Sequence, residues 1–110
     1  MLENSTNRKK IDIGVISLKG WKQKTIGATG SGLSKAILFE TRFGIHTFFV
    51  ATPIDVIILD TTGKVVKIKK DLPPNRLFLW NPKFSYIIEA PSGTIRKLDL
   101  KIGNILRFSL

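Results

Sequence analysis

The sequence predicts a mainly β protein, a single compact antiparallel β-sandwich or partly open barrel with one short helix near the C-terminus. Short runs rich in Val, Ile and Phe recur along the chain, and these residues favour strands. Clusters of Gly, Pro and Asn separate the runs, as turns do. The 110 residues are about the length of one domain.

The N-terminal part of the chain predicts one tail and two strands. Residues 1–10 are polar, and we expect a disordered segment there, followed by a single β domain at 11–110. Apolar alternation predicts strands at 11–18 and 36–40. The run 43–51 is apolar on both faces, which is typical of a strand buried between two layers.

A hairpin is predicted in the middle of the chain. Strands at 55–60 and 64–69 flank the sequence Asp60-Thr-Thr-Gly63, and Asp at the first position with Gly at the fourth suits a type I turn. Lys67 and Lys69 alternate with apolar residues. The second strand should therefore show one face to water.

The C-terminal third holds the remaining elements. The prolines of 71–75 indicate a stiff loop, and strands are predicted at 76–80 and 84–90. Thr94 is the predicted N-cap of a short helix at 95–98. Gly103 and Asn104 then predict a turn into a last strand at 105–108.

Composition argues against several classes of site and location. The chain has no cysteine and one histidine, whereas transition-metal sites usually recruit several such ligands, so we expect no metal and no cofactor. The polar start lacks the apolar core of a signal peptide, and no apolar run is long enough to span a membrane. These features predict a soluble cytoplasmic protein without a membrane partner. An exported form whose signal had been removed would look the same.

The net charge of +10 raises the alternative of an electrostatic nucleic-acid binder. Lysine and arginine recur along the whole chain, however, without the interleaved surface aromatics on which a single-strand binder stacks bases. Lysines also keep sheet edges soluble. An unknown small ligand or protein is therefore the favoured partner, and the oligomeric state stays open.

The glycine-rich stretch 27–35 resembles a phosphate-binding loop only in part. Gly27, Gly32 and Ser34 have nearly the required spacing, but Leu33 stands where that loop needs its lysine. We therefore interpret this stretch as a surface loop and not as a nucleotide site.

Four polar residues interrupt apolar strands and form the candidate ligand-binding cluster: His46, Thr47, Asp55 and Glu89. Polar groups removed from water need a partner. The cluster is either a structural network, with Asp55 accepting backbone or imidazole N–H bonds, or a small pocket for a cationic or polyhydroxylated ligand. Ser85 and Ser92 are conceivable nucleophiles for a hydrolase, but neither lies in a nucleophile elbow, so no catalytic residue is assigned.

Six ordered blocks resemble a known family: Gly44 to Val50, Pro53 to Asp60, Gly63 to Val66, Leu72 to Pro74, Ile88 to Ile95 and Leu100 to Gly103. They are similar to the small prokaryotic proteins called domain of unknown function 192, over about Leu33 to Phe108. The resemblance implies a compact mainly β fold with no established enzymatic activity. The residues that match its pattern are His46, Thr47, Pro53, Asp55, Glu89, Gly93 and Thr94. The chain departs from it at Ala51 and Thr52, where members tend to carry an arginine and an aromatic residue.

The function predicted from these features is that of a non-enzymatic binding or accessory module with a small polar site. Electrostatic binding of nucleic acid is the alternative, and a hydrolase is the third interpretation.

Overall fold

The computed structural model describes residues 1–17, 35–40, 45–46 and 52–109. These ranges contain ten strands and one short helix: β1 (Leu2–Asn4), β2 (Lys9–Ile11), β3 (Val15–Ser17), β4 (Ala36–Glu40), β5 (Ile45–His46), β6 (Ile54–Leu59), β7 (Val65–Leu72), β8 (Leu77–Phe78), β9 (Tyr86–Pro91), α1 (Thr94–Lys97) and β10 (Leu106–Phe108). The predicted mainly β class with one short helix near the C-terminus is confirmed.

A five-stranded sheet in the order β3-β4-β9-β6-β7 forms the centre of the fold. Every residue of β6 is buried, because this strand lies inside the sheet with apolar layers on both faces. The predicted hairpin is present, since β6 and β7 pair antiparallel and the Gly63 N–H donates to the Asp60 carbonyl at 3.2 Å.

Two apolar layers cover the two faces of this sheet. On one face, Ile57 and Ile88 belong to the same buried cluster as Leu2, Ile95 and Leu98 of β1 and the helical region. On the other face lies a second cluster: Ile37, Ile54, Val56, Ile58, Leu72, Trp80 and Ile87. The described sheets form a sandwich and do not close into a barrel.

The N-terminal segment differs from the sequence prediction. Residues 1–10, predicted to be disordered, include β1, which pairs antiparallel with β10 and β2 in a three-stranded sheet. Leu2 and Asn4 are fully buried. The Asn4 amide donates to the Leu98 carbonyl at 3.1 Å and to Asn104 Oδ1 at 2.9 Å. Partners almost a hundred residues away order this segment, and its own composition does not reveal them.

Two local features also depart from the sequence prediction. β3 and β4 pair parallel, so one pair of the otherwise antiparallel sheet needs a longer crossover connection. The helix has Gly93 as its N-cap, at φ 95°, and no side chain caps it from that position. Thr94, the predicted cap, instead donates its hydroxyl to the Pro91 carbonyl at 2.7 Å.

Parts of two predictions lie outside the described residues. These are the glycine-rich stretch up to residue 34, and the predicted strand 43–51 apart from β5. In the ranges that are described, no helix has the length and apolar character required to cross a membrane.

Candidate functional site

Asp55 lies in β6 with only 1% of its surface exposed, and its carboxylate holds two distant backbone segments. Oδ1 accepts the N–H of Asp71 at 2.9 Å, and Oδ2 accepts the N–H of Ile95 at 2.8 Å. Each oxygen therefore has a charge-assisted bond to backbone. Asp55, in β6, therefore caps the N-terminal turn of the helix at long range. This is a structural role, in which the carboxylate accepts backbone N–H bonds.

The surroundings of Asp55 extend this network to the surface. Asp71 has a positive φ of 52°, and its carboxylate accepts a hydrogen bond from the Ser92 hydroxyl. Ser92 was one of the conceivable nucleophiles. Because a hydroxyl carries a single proton, its donation to Asp71 makes Ser92 part of this loop network.

Glu89 is buried on the opposite face of the sheet from Asp55. Its cross-strand partner in β6 is Val56, and that in β4 is Ile37, both in the second apolar cluster. Paired residues share a face, whereas successive residues of a strand point to opposite faces. The sheet therefore separates Asp55 from Glu89, and the two carboxylates do not converge.

The remaining members of the predicted cluster lie at or beyond the edge of the described residues. The backbone of His46 is in β5 and pairs with Leu77 of β8. Thr47 lies outside the described residues. Phe78, next to Leu77, packs against the cluster on the face of Glu89. The backbone of His46 thus belongs to the two-stranded β5–β8 sheet. A site that joins His46 to Glu89 stays a prediction.

A cleft of about 280 Å³ opens at one end of the central strands. β6 ends and β9 begins there, with Leu59 registered against Tyr86. Its lining combines a carboxylate, an ammonium group, hydroxyls and two aromatic rings, from Leu59, Asp60, Thr61, Lys83, Phe84, Ser85 and Tyr86. We call it the Tyr86 cleft.

A second cleft of about 260 Å³ adjoins the Tyr86 cleft. The two share Leu59, Asp60, Thr61 and Tyr86, and the second adds Leu38, Gly63 and Phe108. Tyr86, the single tyrosine of the chain, lines both. This half-buried residue therefore contributes to both clefts.

Asp60, which lines both clefts, has one carboxylate oxygen engaged in the turn. Oδ1 accepts the Thr62 N–H at 2.8 Å, the Thr62 hydroxyl at 2.6 Å and the Lys64 N–H at 3.0 Å. The Thr62 hydroxyl bond is the main cause that lowers the pKa of Asp60. Oδ2 receives no hydrogen bond from the part of the chain that is described. An ionised oxygen is therefore available to a ligand donor.

The sequence prediction did not identify these clefts. The sequence predicts Asp60 at the junction of a strand and a turn, and residues 84–86 at the start of the next strand. A weak signal was present, since Lys83-Phe-Ser-Tyr86 alternates polar and aromatic residues just before an apolar strand. Its meaning depends on the pairing of β9 with β6, which brings Tyr86 beside the end of the hairpin strand.

A family comparison places the chain among known proteins. The family model described as "Uncharacterized ACR, COG1430", DUF192, matches residues 22–108. The chain belongs to the DUF192 family. The resemblance found in the sequence blocks is thereby confirmed, and Asp55, Asp60, Tyr86 and Glu89 all lie inside the matched region.

Similar DUF192 proteins are found in archaea and carry no assigned activity. A UPF0127 protein of Thermococcus gammatolerans is 36% identical over 88 residues, 73% of this chain and 56% of the relative. One from Pyrococcus abyssi is 38% identical over 77 residues, 68% of this chain and 65% of the relative. This chain thus spans less than two thirds of the length of either protein.

Solved structures share the DUF192 fold. A protein of unknown function from Novosphingobium aromaticivorans superposes with a TM-score of 0.71 at 14% identity, covering 86% of this chain and 74% of that one. A protein from Sinorhizobium meliloti, described as a candidate transcription regulator, gives 0.74 at 16% identity, covering 96% and 88%. At these identities the likeness establishes the fold alone.

Proposed function

We propose that this protein is a non-enzymatic binding module whose Tyr86 cleft takes a small, neutral, polyhydroxylated ligand. The lining of that cleft supports the proposal. Its lining residues include the aromatic Phe84 and Tyr86, the hydroxyl-bearing Thr61 and Ser85, and the carboxylate-bearing Asp60. A ligand with an apolar ring face and several hydroxyls complements such a surface, because hydroxyls both donate and accept.

Charge and volume restrict the ligand further. Asp60 and Lys83 contribute one charge of each sign to the cleft, so a neutral ligand is favoured over a cation. The volume of about 280 Å³ lies near the lower end for small-molecule sites, which suits one sugar ring or a polyol. The carboxylate of Asp60 is ionised at neutral pH, as aspartate ordinarily is, and hydrogen bonding lowers its pKa further.

A calorimetric screen of monosaccharides and polyols, with aliphatic amines as the cationic comparison, tests the proposal. At least one polyhydroxylated compound should bind, and Tyr86→Phe and Asp60→Asn should each weaken it about tenfold, as expected when a hydrogen bond to a ligand is lost. Tyr86→Phe keeps the aromatic ring, and Asp60→Asn keeps a side-chain oxygen that can accept the hydrogen bonds of the turn. Asp12→Asn makes the same change at an exposed site outside the cleft and should leave binding unchanged.

The proposed site would be wrong if no polyhydroxylated compound binds, or if binding is unaffected by both cleft variants. A preference for the amines would point to the cationic alternative. Exposed Lys67, Lys69 and Lys70 on β7 support the second candidate, nucleic-acid binding. That function requires an affinity for oligonucleotides that falls steeply with salt.

A further inference from the structure

Leu77 and Leu79 form an exposed apolar pair beside β8. They are 65% and 61% exposed, although leucine is usually withdrawn from water. Residues two apart in an extended segment point to the same side, so both leucines project together. We call this pair, with the flanking Lys67 and Arg76, the leucine face.

The inward side of the same segment holds the leucine face in place. Phe78 and Trp80 alternate with the two leucines, and their ring centroids are 5.9 Å apart. Trp80 is 7% exposed and donates its indole N–H to the Phe84 carbonyl at 2.7 Å. Because these aromatic anchors are turned toward the core, the leucines are directed outward by the packing of the segment.

Positive charge lies beside the two leucines. The Lys67 ammonium donates to the Leu79 carbonyl at 2.8 Å and lies 4.8 Å from the centre of the Phe78 ring. The sequence from Lys64 to Lys83 carries six lysine or arginine residues and one acidic residue, Asp71. This part of the chain thus supplies half of the net charge of +10.

We propose that the leucine face binds an anionic phospholipid surface. Leu77 and Leu79 enter the boundary between headgroups and acyl chains, and Lys67, Arg76 and the nearby lysines of β7 meet the phosphates. Membrane association usually requires two weak signals together, an apolar insertion and a polybasic patch. The exposed leucines supply the first, and the exposed lysines of the adjoining β7, which Lys67 joins to the Leu79 carbonyl, supply the second. The sequence-based expectation of no membrane partner rests on the lack of a spanning segment, and binding at the membrane surface requires none.

Other occupants fit the leucine face less well. A second copy would bring two strongly cationic surfaces together. Single-stranded nucleic acid stacks on aromatic rings, but Trp80 is buried and the outward residues are leucines. A protein partner would need a matching apolar pocket with an acidic rim to receive the two projecting leucines, which line neither the Tyr86 cleft nor its neighbour. A deformable lipid surface accepts such a projection.

Vesicle sedimentation with the full chain tests this proposal. The wild type should sediment with vesicles of equal parts phosphatidylcholine and phosphatidylglycerol, remain in solution with pure phosphatidylcholine, and be released as salt is raised. The double variant Leu77→Ser, Leu79→Ser keeps every charge and should bind at least about fivefold more weakly, because it lacks the inserted apolar surface. Ile102→Ser, at a residue 66% exposed elsewhere, is the matched control and should bind as the wild type does.

Several results would overturn the proposal. One is failure of the wild type to bind anionic vesicles. Binding to a glutamate-rich peptide instead would assign the face to a protein partner. Equal vesicle binding by the wild type and the double leucine variant would leave only unspecific charge attraction. Circular dichroism of each variant checks that it is folded. If Ile102→Ser loses as much vesicle binding as the double leucine variant does, the leucine face is not the binding surface. None of its four residues lines the Tyr86 cleft, so sugar binding is tested independently.

Discussion

The carboxylate of Asp55 accepts the backbone N–H of Ile95 at 2.8 Å, joining β6 to the helix forty positions later. The N-cap of that helix is Gly93, which offers no side-chain acceptor. The first turn of a helix has N–H groups without intrahelical partners. A buried strand residue therefore performs the capping that a local Ser, Thr or Asp usually performs.

Replacing Asp55 by alanine should lower the free energy of unfolding by about 2–4 kcal/mol, because two backbone N–H groups would lose their acceptor in the interior. Chemical denaturation measures this change. Asp12 is exposed, and Asp12→Ala should cost less than about 0.5 kcal/mol. Similar small costs for both variants would show that Asp55 is not a structural cap.

Asn4→Ala should destabilise the protein by about 1–3 kcal/mol, because the carbonyl of Leu98 and the amide oxygen of Asn104 would lose a buried donor. Thermal unfolding, read by circular dichroism, provides the measurement. Asn7 is the matched control, since it also donates to the Leu98 carbonyl, at 3.0 Å, but is exposed. We expect Asn7→Ala to cost clearly less. Equal melting temperatures for wild type and Asn4→Ala would argue that the hydrogen bonds of the Asn4 side chain add nothing to stability.

Gly63→Ala should be more destabilising than Gly93→Ala. Both glycines have positive φ, 87° and 95°, which costs a residue with a Cβ about 1–2 kcal/mol. A Cβ at Gly63 would in addition lie 3.0 Å from the Leu106 carbonyl oxygen, whereas one at Gly93 would meet nothing within 4 Å. Urea denaturation of the two variants compares them directly, and an equal loss would exclude a contribution from the contact with Leu106.

The stabilising contribution of Asp60 should depend on pH. Hydrogen bonds from Thr62 and Lys64 lower the pKa of the folded carboxyl, so the ionised form stabilises the fold above the unfolded pKa and this contribution is lost as pH falls through the folded value. Asp60→Asn should therefore be less stable than wild type at neutral pH, and the difference should shrink below about pH 4. The group is at the surface, which makes the effect small. Denaturation at both pH values tests this, and a constant difference would contradict it.

Much of the architecture could be predicted because it depends on local pattern. The apolar run of β6, the Asp60 to Gly63 turn and the position of the helix each follow from residues close together in the chain. The family blocks also lie along one continuous stretch. The ordered N-terminus was missed because Leu2 and Asn4 look like part of a polar tail until Leu98 and Asn104 are placed beside them.

The amino-acid sequence by itself determined the central strands β4, β6, β7 and β9, where the hairpin turns and that Asp55 and Glu89 are buried, because periodicity and turn chemistry act over a few residues. Only the tertiary structure decided that these two carboxylates lie on opposite faces. Glu89 is registered with Val56 and not with Asp55, and a shift of one residue would reverse the face of every side chain in the strand. The same register places Tyr86 beside Leu59 and so creates the cleft. Register arises from packing between segments far apart in the chain, which no local pattern records.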